Sequence, residues 1–196
     1  MVQTAAAARA ETRRAEILRR AAGVFRRKGF HRAGMREIAR GLGIAPGALY
    51  YYFPGKEDLL YACQTITLDR LLASARGIAA SPASSAEKLR GLARAHLAHI
   101  LGEMGGSFAH VEFQALPEPL LREVVARRDA YERIVRGVLR EGVRSGAFRA
   151  VDAKLTALAL LGALNWTVVW WRPDGRTRLE DVAAAFEETF LRGVLA

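Results

Sequence analysis

Tyr50, Tyr51 and Tyr52 stand in a row, and Lys56 follows them, so three phenol hydroxyls and an ammonium lie close together in the chain. Donors of this kind serve phosphate oxygens. Successive helical residues point about 100° apart, so at least one of the three rings faces solvent. Tyr50 is the ring expected to turn partly inward, and a core role for the run is the competing reading. Ala45, Pro46, Gly47 and Ala48 come just before, small enough for close approach to base edges and thymine methyls. A second cluster, His96 and His99 at i, i+3 with Glu103 four residues on, has the residue types of a metal site. That spacing arises easily by chance, and solvent-exposed or pocket-lining polar residues account for it, so no metal and no cofactor are assigned. The chain has no Gly-rich phosphate loop, nucleophile elbow or paired catalytic carboxylates. An enzyme is not expected.

These candidates need elements to hold them. Between Arg36 and Phe53, the apolar residues Ile38, Ala39, Leu42, Ile44 and Leu49 are spaced so that two short helices share one small core. Gly43 sits where the first must stop and the chain reverse. Pro46 stands in the first turn of the second, where its missing N–H costs nothing. This is a helix-turn-helix, whose second helix can enter a major groove. Around it the periodicity predicts helices over about 11–28, 35–41, 46–52, 56–77, 85–104, 107–115, 118–145, 153–171 and 179–193. The Ala-rich residues 1–10 are expected as a frayed arm. No segment alternates like a strand. The expected fold is all-α, with about nine helices.

Charge sharpens the reading. Residues 1–56 hold 12 of the 30 Lys and Arg but only 3 of the 20 Asp and Glu, a surplus of nine in a chain of net charge +10. Basic residues concentrated around a helix-turn-helix imply a polyanion, double-stranded DNA. The single Cys63 excludes an internal disulfide framework and a Cys-based zinc site. The longest apolar run, Leu155 to Trp171, lies between Lys154 and Arg172 and reads as a buried helix rather than a membrane span. With no apolar core of a signal peptide near the N-terminus, a cytoplasmic location is expected.

Gly29-Phe30, Met35 to Ala39, Gly43-Ile44, Pro46 to Phe53 and Lys56-Glu57 together closely resemble the DNA-binding domain of TetR-family transcriptional repressors. The resemblance implies a DNA-binding domain over 1–56 and an effector-binding and dimerisation domain over 57–196, the latter pairing through the last two helices. It implies a dimer on a palindromic operator, with Arg36, Ala45, Pro46, Gly47, Ala48, Tyr50, Tyr51, Tyr52 and Lys56 on the DNA face. Two departures stand out. Ala33-Gly34 replace the Thr or Ser that usually caps the second helix, and Tyr52 stands where His is commoner. With no long polar side chain among Pro46, Gly47 and Ala48, readout leans on apolar contacts and DNA shape.

The segment Leu161 to Gly175 looks like its counterpart in TetR-type regulators that respond to acyl-CoA thioesters of lipid, steroid or aromatic catabolism. Its Trp166, Trp170 and Trp171 serve equally as core or dimer seam. An apolar pocket between the later helices is expected from Leu101, Met104, Phe108, His110, Phe113, Arg127, Tyr131, Asn165 and Trp166. Arg127, Arg128 and Arg133 are candidates for the CoA phosphates. Two alternatives stay open: an efflux-type regulator sensing hydrophobic drugs, and a DNA-binding module without an inducer.

Overall fold

The computed structural model describes residues 2–102 and 112–195, with side chains from Ala8 onward. Among the described residues it has eight α-helices and one 3-10 turn: α1 (Val2–Lys28), α2 (Met35–Gly41), α3 (Pro46–Tyr52), α4 (Lys56–Ala80), α5 (Ser85–Leu101), the turn Glu112–Ala115, α6 (Glu118–Arg144), α7 (Ala153–Trp170) and α8 (Leu179–Val194). The fold is all-α. One expectation fails at the N-terminus, where α1 already begins at Val2. Alanine has the strongest intrinsic helix preference, and no Gly or Pro interrupts residues 2–22. A helix was also expected over 107–115; of that span the described part is the short turn Glu112–Ala115.

The first three helices close on Ile17, Leu18, Ala21 and Phe25 from α1, Ile38 and Ala39 from α2 and Leu49 from α3. Phe30 packs on Phe25 with ring centroids 5.6 Å apart, plugging the end of this core. Gly29 and Gly43 end α1 and α2 at φ 75° and 65°, a region costly for other residues. α4 then runs from this unit into the rest of the protein, packing on α1, α5 and α6. Its Leu59, Leu60 and Cys63 belong to the first core, and its Leu68, Leu71, Leu72 and Ala75 to the second.

α5 opens with a capping box between Ser84 and Glu87, and Asp152 caps α7 through the N–H groups of Lys154 and Leu155. α8 is tied to α5 by the buried Glu187, which meets Arg90 at 3.3 Å and is gripped by Arg94. Lys88 of α5 reaches Glu141 of α6 at 3.0 Å.

α7 departs from expectation. It is long and apolar enough to cross a membrane, yet only 28% of it is buried, where a buried helix was anticipated. Leu155, Leu158, Trp166 and Trp170 project outward at 64, 50, 61 and 45% exposure. A uniformly apolar helix has no polar face to give to solvent, so periodicity could not tell which side faces out.

Two glycines of α6 make a clean comparison. A Cβ on Gly142 would collide with the buried ring of Phe148, whereas one on Gly137 meets nothing within 4 Å. Gly142→Ala is expected to cost about 2 kcal/mol through overpacking, and Gly137→Ala to add about 0.5–1 kcal/mol through helix propensity. Urea denaturation of both variants against the parent checks this pair of opposite signs.

Candidate functional site

Two sites emerge, one at the start of α4 and one along its middle. At the helix-turn-helix, Ala45 is the N-cap of α3, and Pro46, Gly47 and Ala48 are exposed in its first turn. Arg36 is exposed in the first turn of α2, behind the uncapped Gly34. Leu49 and Phe53 are buried. Tyr51 is 85% exposed and Tyr50 47%. The inward ring is Tyr52, which packs on the core beside Tyr51, so the expectation for Tyr50 is corrected. Tyr52 lies three residues beyond the buried Leu49 and shares its helix face, whereas Tyr50 is turned about 100° away. Lys56 is half-buried. Its ammonium lies 4.5 Å from the centre of the Phe30 ring and donates to the carbonyls of Phe30 and His31 at 3.5 and 3.4 Å. It therefore splints the link between α1 and α2, a role its sequence position did not disclose.

The second site is a cleft of about 290 Å³ between α4, α5, α6 and α7. Leu68 and Leu71 of α4 and Leu158 and Leu161 of α7 make its apolar walls. Its floor is polar. His96 is 2% exposed; its Nδ1 lies 3.1 Å from the Tyr131 hydroxyl and its Nε2 3.1 Å from Asn165 Oδ1. One assignment satisfies all three groups: the Tyr131 O–H donates to Nδ1, and Nε2–H donates to Asn165. Burial pushes the imidazole down to about 4 against a weaker opposing pull from Asn165, so it is neutral near pH 7. The Tyr131 hydroxyl is pushed up by burial. At the rim, Arg128 lies with its guanidinium 3.9 Å from the centre of the Phe113 ring. Burial lowers it to about 10, which leaves it charged at neutral pH. Asp129 and Glu132 line the cleft too, and Glu132 is paired with Arg136 at 3.6 Å.

Of the residues expected to bind an effector, the structure brings Tyr131 and Asn165 together. Phe113 is outside the cleft lining and meets it only through Arg128, whose guanidinium lies over its ring. Leu101 is a buried core residue outside the cleft lining. Trp166 lies on the open face of α7, one position and about 100° from Asn165. Arg127 turns to α4, donating to Asp69 at 3.1 Å and to the Glu123 carbonyl at 3.2 Å; its neighbour Arg128 faces the cleft. Met104, Phe108 and His110 lie outside the described residues, as does Glu103 of the metal reading. His99 accepts or donates at Ser74 Oγ, 2.8 Å away, and does not join His96. Sequence reasoning named His96 only as one of two histidines at i, i+3 and Arg128 only as one of three arginines for CoA phosphates, and it did not join either to Tyr131 and Asn165. The signal for His96 was its place in the stripe Leu89, Leu92, Ala93, His96, Ile100, a polar group on an otherwise buried face.

Comparison with known proteins agrees with this architecture. The family model for bacterial regulatory proteins of the tetR family matches residues 17–63, and that for the tetracyclin repressor-like C-terminal domain matches residues 82–194. The HTH-type transcriptional repressor KstR2 of Mycobacterium tuberculosis is 29% identical over 191 residues, 96% of each chain. Its structure, described as a ketosteroid transcriptional regulator, superposes with a TM-score of 0.87 over 94% of this chain and 95% of that one. The regulator PfmR of Thermus thermophilus is 33% identical, with a TM-score of 0.83 over 90% of this chain and 97% of that one. The fatty acid metabolism regulator protein of Bacillus subtilis is 25% identical over 158 residues, 80% of this chain and 81% of that protein.

The buried imidazole makes stability pH-dependent. A folded value near 4 against about 6.5 unfolded means that the unfolded chain binds the extra proton as pH falls. Stability from this group is therefore full above about pH 6.5 and lost as pH drops toward 4. Between pH 7 and 5 the loss through His96 is expected at about 2 kcal/mol. His96→Gln, compared with the parent by urea denaturation at both pH values, should show that much less pH sensitivity.

Proposed function

The chain belongs to the TetR family of bacterial transcription regulators, and from that premise we propose a dimeric repressor released from its operator by a hydrophobic acyl compound carried as a coenzyme A thioester. In this reading residues 1–56 form the DNA-reading unit and 57–196 the effector and dimerisation unit. The protein catalyses nothing, carries no cofactor and works in the cytoplasm, where its DNA is.

The single observation that carries the effector reading is the His96–Tyr131–Asn165 chain buried at the floor of an apolar cleft. A polar group held this deeply has to be satisfied, and here the hydrogen bonds leave the Asn165 amide N–H groups as donors for a carbonyl such as that of a thioester. Leucine side chains on both walls suit the hydrocarbon next to it. The names of the relatives, a ketosteroid regulator and a fatty acid metabolism regulator, support a lipid-derived ligand.

Transmission has a physical route. α4 carries Leu68 and Leu71 in the cleft wall and Lys56 under the helix-turn-helix. α6, which carries Tyr131 and Arg128, grips α4 through Arg127 to Asp69 and through Glu123 to the Tyr61 hydroxyl. A ligand that fits one spacing of α4 and α6 better than another shifts the population between two settings of α4. The DNA-reading unit, packed on the near end of α4, moves with it. The open apolar face of α7, with Leu155, Trp166 and Trp170, is the surface for pairing with a second copy, together with the small exposed residues Ala184 and Ala185 of α8. The DNA face is that of Arg36, Ala45, Pro46, Gly47, Ala48, Tyr50 and Tyr51, with Tyr52 and Lys56 supporting it from behind.

A thermal-shift screen tests the effector. A thioester at about 100 times its Kd should add roughly 2.7 kcal/mol to stability, and Tyr131→Phe should weaken that ligand about tenfold by leaving Nδ1 without its donor. Stabilisation by uncharged hydrophobic drugs with none by thioesters would move the protein to efflux control. On the DNA side, Tyr51→Ala should leave the melting temperature unchanged and weaken operator binding several-fold in a gel-shift titration.

A further inference from the structure

The cleft is small. At about 290 Å³ it lies at the bottom of the range for sites that enclose a whole drug-sized ligand. It holds an acyl group; the nucleotide end of a coenzyme A thioester has to lie elsewhere. A second hollow, of about 720 Å³, opens between the C-terminal end of α1 and the end of α7. Arg26 and Arg27 wall it on one side, Val169, Trp171 and Arg172 on the other, and Asp174 is its one acidic group. A smaller hollow of about 310 Å³ continues around the same two arginines to His31 and Arg32, with Glu112 as its acidic member.

Three features make this more than a basic surface. First, Arg26 and Arg27 are exposed, and among the described residues neither is ion-paired, while the adjacent Lys28 is held by Glu37 at 2.9 Å. Second, the far wall is built. Arg172 is anchored by donating to the carbonyls of Val169 and Trp171 at 3.1 Å, and the Trp171 indole N–H donates to the Thr177 carbonyl at 3.1 Å. A flat ring and a guanidinium are thus fixed side by side, the pairing that suits a purine next to phosphates. Third, the two hollows are in register. Leu158, Gly162 and Asn165 line the cleft, and Val169 and Arg172 line the hollow. The first four follow a spacing of four, three and four residues, one stripe of α7, and Arg172 stands two residues beyond the helix end. At 1.5 Å per residue, Val169 lies roughly 11 Å along the helix from the middle of the cleft set.

From these features we infer that the hollow between α1 and the end of α7 binds the phosphate-bearing adenosine end of coenzyme A, with Arg26, Arg27 and Arg172 on the phosphates. The inference rests on the thioester reading of the cleft and adds a consequence to it. Arg26 and Arg27 belong to α1 of the DNA-reading unit, so the two ends of one ligand engage both units. Its hydrocarbon end sits against α4 and its anionic end holds α1. Phosphates drawn to Arg26 and Arg27 also offset positive charge that would otherwise favour DNA.

Titration calorimetry on the full-length protein tests this with coenzyme A itself, an acyl-coenzyme A, and the matching acyl-pantetheine, which lacks the nucleotide. The parent should bind coenzyme A saturably, and the acyl-coenzyme A more tightly than the acyl-pantetheine. The double variant Arg26→Ala, Arg27→Ala should lose at least tenfold in affinity for coenzyme A and its thioester and keep its affinity for acyl-pantetheine. Arg172→Ala should act in the same direction. Unchanged coenzyme A affinity in the double variant overturns the inference, and a loss of operator affinity alone would assign the arginines to the DNA backbone. Equal losses for the acyl-pantetheine also overturn it, as does a parent that binds no coenzyme A. If acyl-pantetheine binds through Tyr131 while the arginines are silent, the cleft reading stands and this one falls. If coenzyme A binds through the arginines but an acyl chain adds nothing, the cleft reading falls and this one stands.

Discussion

One helix has to satisfy two cores with a single set of side chains. α4 buries Leu59, Leu60 and Cys63 against α1 and Leu68, Leu71, Leu72 and Ala75 against α5 and α6. Interiors packed at crystal-like density transmit displacement instead of absorbing it. Neither core can shift along α4 without the other responding. Leu71, in the cleft wall, stands fifteen positions from Lys56, under the helix-turn-helix, roughly 22 Å along the helix. A tilt of about 5° about one end moves the other by about 2 Å over that length. Two reading heads that must enter successive grooves one helical turn apart tolerate little error of that kind. The Cys63 thiol shows how tight the junction is: it donates to the Leu18 carbonyl at 3.7 Å, and burial pushes it up to about 12, so it serves as packing and not as a reactive group.

What could be read from the sequence followed the range of the interactions. The helix-turn-helix was legible because its signals are local: Gly43 at a positive φ, Pro46 in a first turn, and apolar residues spaced for one shared core. The start of α1 was misread because alanine carries no stripe to mark a face, while its backbone preference needs none. The inward turn of Tyr52 follows from Leu49 once the helix boundary is known, but Tyr50 and Tyr52 look alike until then. The cleft was only half legible. Tyr131 and Asn165 were candidates by type, yet what joins them is His96, 35 residues from one and 69 from the other. Arg127 and Arg128 are identical in type, and only the rotation of α6 decides which grips Asp69 and which faces the cleft.

α7 marks a different limit. A run of apolar residues says that a face will be covered, not by what. Buried against its own chain are Ala157, Leu160, Leu164 and Val168; left open are Leu155, Leu158, Trp166 and Trp170. A contiguous open apolar face is suited to cover by a partner, and an isologous pair would bring the same residues together from both copies. Leu158 belongs both to this face and to the cleft wall, so the packing of α7 and the filling of the cleft constrain each other.

In the proposed reading, the polar floor of the cleft also sets what the site rejects. A purely apolar pocket separates ligands by a methylene or two, worth about 1–3 kcal/mol each. A site whose buried donors expect an acceptor rejects a ligand without one much more strongly, because closing over it leaves those donors unpaired. Here the neutral His96 fixes which way the hydrogen bonds run: Tyr131 gives to the ring, the ring gives to Asn165, and the amide N–H groups are what remains for a ligand. Protonating the ring would turn Nδ1 into a donor facing a donor that would have to rotate away. Desolvation holds the imidazole neutral, and a neutral imidazole holds the direction of the chain. The apolar walls therefore do more than attract hydrocarbon; by excluding water from His96 they set the hydrogen-bonding polarity with which the site reads its ligand.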